Sequence, residues 1–186
     1  MRAKRMNRLC GALVMTSGLA AYGVMLAQAP AGPPVTPSVS GEVQRSYAAV
    51  KENILKSADK MPAADYASKP TADVRTFARV VNHVSEAQLR ICGAVNHTPD
   101  ASLAKVPAET ADKDAIVTAL KASFTECDKA YGAATDATMS EILSMGPAKR
   151  SRTGLLWGNV SHDNEQYATL ALYLRLKGIA PPSSEK

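Results

Sequence analysis

The sequence predicts an all-α fold, an up-down four-helix bundle, on three observations. Four long stretches carry apolar residues at helical spacing, breaks rich in Pro and Gly separate them, and no convincing strand pattern interrupts them. Aromatic content is only 5% while alanine is abundant, so the apolar faces are shallow and allow helix axes to approach closely. Four such stripes kept apart would all stay in water, whereas a bundle buries them against one another.

Ahead of the helices, residues 1–31 read as a secretory signal. Arg2, Lys4, Arg5 and Arg8 form a basic start without acidic residues, and an apolar run from Leu9 to Ala27 follows. Two overlapping small-x-small sites end it, Ala27-Gln28-Ala29 and Ala29-Pro30-Ala31, and cleavage is expected after Ala31. The competing reading is an uncleaved anchor, since the run is about long enough to span a bilayer. Cys10 precedes the apolar core, which argues against a lipoprotein signal. Cleavage leaves no stable membrane span and places the mature domain in the periplasm or outside the cell.

The signal also accounts for the basic charge. It holds four of the 22 Lys+Arg and none of the 17 Asp+Glu, which leaves 18 against 17, a net charge of +1 on the mature part. Nucleic-acid binding needs basic clusters on the folded domain, so no nucleic-acid partner is expected. Residues 32–41 (GPPVTPSVSG) are a flexible leader, and 42–186 form the bundle domain.

Helix one is expected from about Glu42 to Lys60, with Tyr47, Val50, Ile54 and Leu55 at helical spacing and Pro62 as its stop. Met61 to Pro70 is a compact loop. Thr71 is the expected cap of helix two, which continues to about Val95 before Asn96, Thr98 and Pro99. Helix three runs from near Asp112 to about Ala133. A short helix over roughly Ala137 to Leu143 precedes the loop GPAKRS. Helix four extends from about Arg152 to Lys177, where Gly178, Pro181 and Pro182 end it.

At 100° per residue, Val80, Val84, Ala87, Ile91 and Ala94 form the apolar face of helix two, with His83 at its edge. On helix four, His162 sits at the margin of the face marked by Leu155, Leu156, Leu170, Tyr173 and Leu174, between Asn159 and Gln166. Two imidazoles, two amides and the Tyr173 hydroxyl can therefore meet at one mouth of the bundle, where facing helices build metal sites. A histidine on a helix edge is more often a hydrogen-bonding residue than a ligand, and His97 reads as a surface loop residue. His83/Glu86 and His162/Glu165 are both His-x-x-Glu pairs, but each glutamate rotates to the solvent side, as a solvated or supporting group.

The mature chain retains Cys92 and Cys127. In an oxidising compartment such a pair favours a disulfide, worth roughly 3–4 kcal/mol for a loop of this length. The alternative is two small buried residues at helix contacts. Neither cysteine lies in a Cys-x-x-Cys motif.

The loop MPAADYASKPT, the histidine of VVNHVSEAQ and the final segment NVSHDNEQYATLALYLRLKGIAPPSS together resemble the DinB/YfiT-like superfamily, over nearly all of the mature chain. The resemblance implies a divalent metal, zinc or nickel, held by three histidines: one on helix two and a His-x-x-x-His pair on the last long helix. His83 and His162 fall on the first two ligand positions. The third falls on Gln166, whose neutral amide oxygen is a poorer ligand than imidazole. Asn159, Glu165 and Tyr173 are candidates for the supporting shell. The resemblance further implies metal-dependent transferase or isomerase chemistry on small thiols such as bacillithiol or mycothiol, and a tendency to dimerise. Export removes the domain from those cytosolic thiols. The leading expectation is a metal-binding protein or metal-dependent enzyme acting on a small-molecule ligand, possible as a homodimer. The alternative is a non-catalytic exported binding or stress-related module that keeps the fold.

Overall fold

The computed structural model describes residues 37–185; the signal and the first half of the leader lie outside the described residues. Four long helices dominate: α1 (Val39–Lys60), α2 (Phe77–Asn96), α3 (Lys113–Gly132) and α4 (Arg152–Leu176). A small antiparallel hairpin, β1 (Ile142–Met145) and β2 (Ala148–Ser151), stands between α3 and α4.

Every long helix starts on a side-chain cap. Ser38, Thr76, Asp112 and Ser151 accept hydrogen bonds from the backbone amides of Gly41, Arg79, Ala115 and Gly154, satisfying donors that the first turn leaves orphaned. Two of these caps move boundaries from their expected positions. Ser38 begins α1 at Val39, three residues ahead of Glu42, so the last leader residues are helical. Thr76, not Thr71, opens α2. The reason lies in the preceding loop, whose carbonyls at Tyr66 and Ser68 accept from the first free amides of α2, Ala78 and Phe77. The loop is thereby fastened onto the helix end, and Tyr66 is buried with its hydroxyl donating to the Ala58 carbonyl.

The stretch expected to be a short helix before GPAKRS is a turn followed by β1, which corrects the expectation of no strand. Gly146 and Pro147 form the two-residue connection between the paired residues Met145 and Ala148, and Gly146 has φ +60°. A positive φ at the first central residue is what a type II′ hairpin turn requires, and glycine adopts it without strain. Leu143, 3% exposed, anchors the hairpin to the core.

Around the bundle the helices neighbour one another in the order α1, α4, α2, α3; the pairs α1/α2 and α3/α4 lie across the diagonals with only slight contact. Ile54, Phe77, Leu120, Leu156, Leu170 and Leu174 are completely buried between them. Cys92 and Cys127 are joined as a disulfide, with Cα atoms 5.0 Å apart, tying α2 to α3. Among the described residues, no helix is long and apolar enough to cross a membrane.

Candidate functional site

The order of the helices makes α2 and α4 neighbours, and it is across this seam that the two histidines meet. His83 and His162 present their Nε2 atoms to each other at 3.1 Å, with the rings edge to face. Both side chains are roughly a quarter exposed, at 28% and 23%, so the pair opens to solvent on one side only. Two imidazole nitrogens sharing a zinc ion at about 2.0–2.1 Å each would lie roughly 3 to 3.4 Å apart. At 3.1 Å the two rings share a hydrogen bond, one N–H facing the other ring's lone pair, and the separation lies within the range that two zinc-bound nitrogens span.

What stands behind each ring differs. Glu86 reaches within 4.0 Å of His83 Nδ1, but its carboxylate is engaged by Arg79 through two hydrogen bonds of 3.0 and 2.9 Å. Burial, and then the charges of Arg75, His162 and Arg79, hold the His83 imidazole below its ordinary range, against the opposing pull of Glu86. A neutral ring at this position keeps a lone pair available for a Lewis acid.

Behind His162 is Asp163, completely buried. Its Oδ1 lies 3.6 Å from His162 Nδ1, too far for a hydrogen bond, and both buried atoms are without a hydrogen-bond partner. The other oxygen, Oδ2, accepts from Asn159 Nδ2 at 3.1 Å and from Gln88 Nε2 at 3.4 Å. Ser123 donates to Gln88 Oε1, and Asn159 also donates to the Tyr131 hydroxyl, so the network spans α2, α3 and α4. Burial pushes the Asp163 carboxyl upward, opposed by the adjacent His162 and by the bonds from Gln88 and Asn159. A short approach of Asp163 Oδ1 to Nδ1 would favour the proton on that nitrogen and leave Nε2 as the electron-pair donor.

The remaining expected residues fall as follows. Gln166 is half-buried one turn beyond His162. Asn159 supports Asp163 rather than touching an imidazole. Glu165 is exposed, and the Tyr173 hydroxyl donates to the Arg75 carbonyl, which pins the segment entering α2. His97 ends α2 in the left-handed region with φ 56°, on the rim of a separate outer groove of about 930 Å³. Among the described residues no group of three or more His, Cys, Asp and Glu is arranged to hold a metal ion. The histidine pair offers two imidazoles on facing helices, with the Gln166 amide one turn further along α4.

Gln88 and the buried, supporting position of Asp163 were not expected from the sequence, where Asp163 stood with Glu165 as a group able to swing toward a metal. A signal was present: Leu156, Asn159, Asp163, Leu170 and Leu174 share one face of α4, so a carboxylate in that row is buried.

Comparison with known proteins follows the same lines. The model of the DinB superfamily matches residues 46–170. A DinB-like protein from Bacillus cereus, solved as a crystal structure, is similar with a TM-score of 0.60 at 17% identity, over 76% of this chain and 95% of that one. A DinB-like protein from Bacillus subtilis is similar with a TM-score of 0.59 at 12% identity, over 74% and 92%. At these identities the structural likeness is one of fold. No curated protein matches the sequence.

Proposed function

The chain belongs to the DinB superfamily, whose members commonly bind metal, and from that premise we propose that it is an exported divalent-metal-binding protein centred on His83 and His162. The observation that carries this reading is the 3.1 Å convergence of the two Nε2 atoms from different helices. Gln166, one turn along α4 from His162, is the candidate for a third, weak ligand, and solvent would complete the set.

A divalent ion at this position would act as a Lewis acid, bringing the pKa of a ligated water or thiol toward neutrality. The chain's own residues prepare for it. Asp163 stands behind His162 at 3.6 Å, and Asn159 and Gln88 hold its carboxylate still. Burial, with the arginines around it, lowers the His83 pKa and favours the neutral ring. The burial of α2 and α4 against each other closes one side of the pair to water. The closed Cys92–Cys127 pair supports the oxidising compartment expected of an exported protein.

Metal analysis of protein purified without chelators or a nickel-affinity step tests the reading. One zinc or nickel per chain, lost in His162→Ala, supports it; an empty wild-type site overturns it. Gln166→His should tighten binding about tenfold or more, since imidazole replaces a neutral amide.

A further inference from the structure

South of the histidine pair, the seam between α2 and α4 widens into a cavity of about 210 Å³ that opens at His162. Three elements wall it. Ala87, Arg90 and Ile91 come from α2, in the same stripe as His83, since seven residues bring a helix back to nearly the same face. Leu155, Gly158 and His162 come from α4, and Met145 and Arg150 from the hairpin.

The floor is apolar and the rim is cationic. Ala87, Ile91 and Leu155 are buried. Arg150 pairs with Leu143 across the hairpin, so the two share a face; Leu143 anchors that face to the core, and the exposed Arg150 lines the cavity rim. Arg79 and Arg152 nearby each have a carboxylate, Glu86 and Glu141. Arg90 and Arg150 form no ion pair among the described residues, and the contact of Arg90 is to the Met145 sulfur at 4.0 Å. Two exposed guanidinium groups without a carboxylate partner among the described residues thus line an apolar slot, and the guanidinium fork matches carboxylate and phosphate geometry.

We propose that this cavity binds a small organic oxyanion, a carboxylate or a phosphate monoester with a short apolar body, and presents it to the histidine pair. The volume sets the size: it equals about seven water molecules at about 30 Å³ each, below the roughly 300–1,000 Å³ of drug-sized sites. The oxyanion head lies between Arg90 and Arg150, and the apolar body lies over Ala87, Ile91 and Leu155 toward His162. As a substrate pocket this rests on the metal reading above; as an anion pocket it stands without it.

Calorimetric titration with hexanoate, hexyl phosphate and the uncharged hexan-1-ol tests the proposal on chelator-treated and untreated full-length protein. At least one of the two anions should bind roughly tenfold or more tightly than the alcohol, and which one does identifies the headgroup. Arg150→Gln, on the exposed hairpin, should weaken that anion by about tenfold with the circular dichroism unchanged. Gly158→Leu should block all three probes, because a Cβ at Gly158 meets nothing within 4 Å and the side chain enters open space. Alcohol and anions binding alike, or wild-type affinity in both Arg150→Gln and Gly158→Leu, overturns the proposal. Anion binding that depends on Arg150 in a protein that holds no metal refutes the metal reading and leaves the pocket standing. A metal-loaded protein that takes neither anion does the reverse.

Discussion

The Oδ1 atom of Asp163 stands 3.6 Å from the Nδ1 atom of His162, and both are buried without a hydrogen-bond partner. Nothing in the packing of α4 requires a carboxylate there, where Leu156 and Leu170 on the same face are fully buried. The group is retained against its own cost of desolvation, which marks it as serving the imidazole.

Asp163→Asn is therefore expected to separate stability from binding. Burial raises the Asp163 carboxyl, so the folded state holds that proton more tightly than the unfolded chain does. Stability from this group is fully present below the unfolded carboxyl pKa and is lost as pH rises through the higher folded value. At neutral pH the asparagine variant should melt at or above the wild-type temperature, and on acidification the wild type should catch up. Metal affinity should fall about 10- to 100-fold, the usual effect of removing a residue that orients a ligand. Melting curves from pH 3 to 8 and metal titrations check both halves; a variant less stable than wild type at pH 7 would show the carboxylate to be structural.

His83 gives the opposite sign. Its imidazole is held below the ordinary histidine range, burial being the main cause. Its contribution to stability is present above the unfolded histidine pKa and is lost as pH falls through the folded value. Metal-free wild-type protein should lose melting temperature between pH 7 and 5, and His83→Gln should flatten that slope. An unchanged slope in the variant assigns the acid sensitivity elsewhere.

Glu126 holds the end of α2 to α3. Its Oε1 accepts from Asn96 Nδ2 at 2.8 Å and from the Thr98 hydroxyl at 2.5 Å, and Lys129 donates to Oε2. Burial alone would raise this carboxyl, but the bonds from Thr98, Asn96 and Lys129 outweigh it and the group sits below its usual range. Glu126→Gln should cost about 1–2 kcal/mol at neutral pH, the scale of hydrogen bonds to a charged group. The deficit should vanish as pH drops through the folded carboxyl pKa. Urea denaturation at pH 7 and pH 3 measures the difference.

The Cys92–Cys127 bridge spans 35 residues. Removing it in the double variant Cys92→Ser/Cys127→Ser should lower stability by about 3–4 kcal/mol, because the unfolded chain regains the freedom of that loop. Both sulfur-bearing residues are fully buried, so mild reductant on the folded protein should leave the bridge intact until denaturant opens the bundle.

The helices were legible because each is announced twice, once by apolar spacing and once by a cap. Asp112 and the stop at Gly178 bound α3 and α4 within a residue or two of their expected ends. The boundary of α2 was not legible, since Thr71 and Thr76 are equally good caps and only the docking of the Tyr66–Ser68 carbonyls chooses between them. The hairpin was hidden by short strands, although Gly146-Pro147 carried its turn. Both histidines could be placed on facing helix edges from the sequence; their approach could not, because which helices are neighbours is decided by how the two diagonal connections cross. The burial of Asp163 emerges only when the whole face of α4, with Leu156, Asn159, Leu170 and Leu174, is counted together.

The crossing of those connections also fixes when the site can come into being. His83 lies on the second helix and His162 on the fourth, 79 residues apart, and no local contact brings them together. The first three helices can pair through α2, α3 and their disulfide while the fourth is still free. Pairings between distant parts of a chain form late, after the entropy of closing long loops has been met. The two imidazoles are juxtaposed only once α4 is docked against α2; without that docking they are separate groups on two helices.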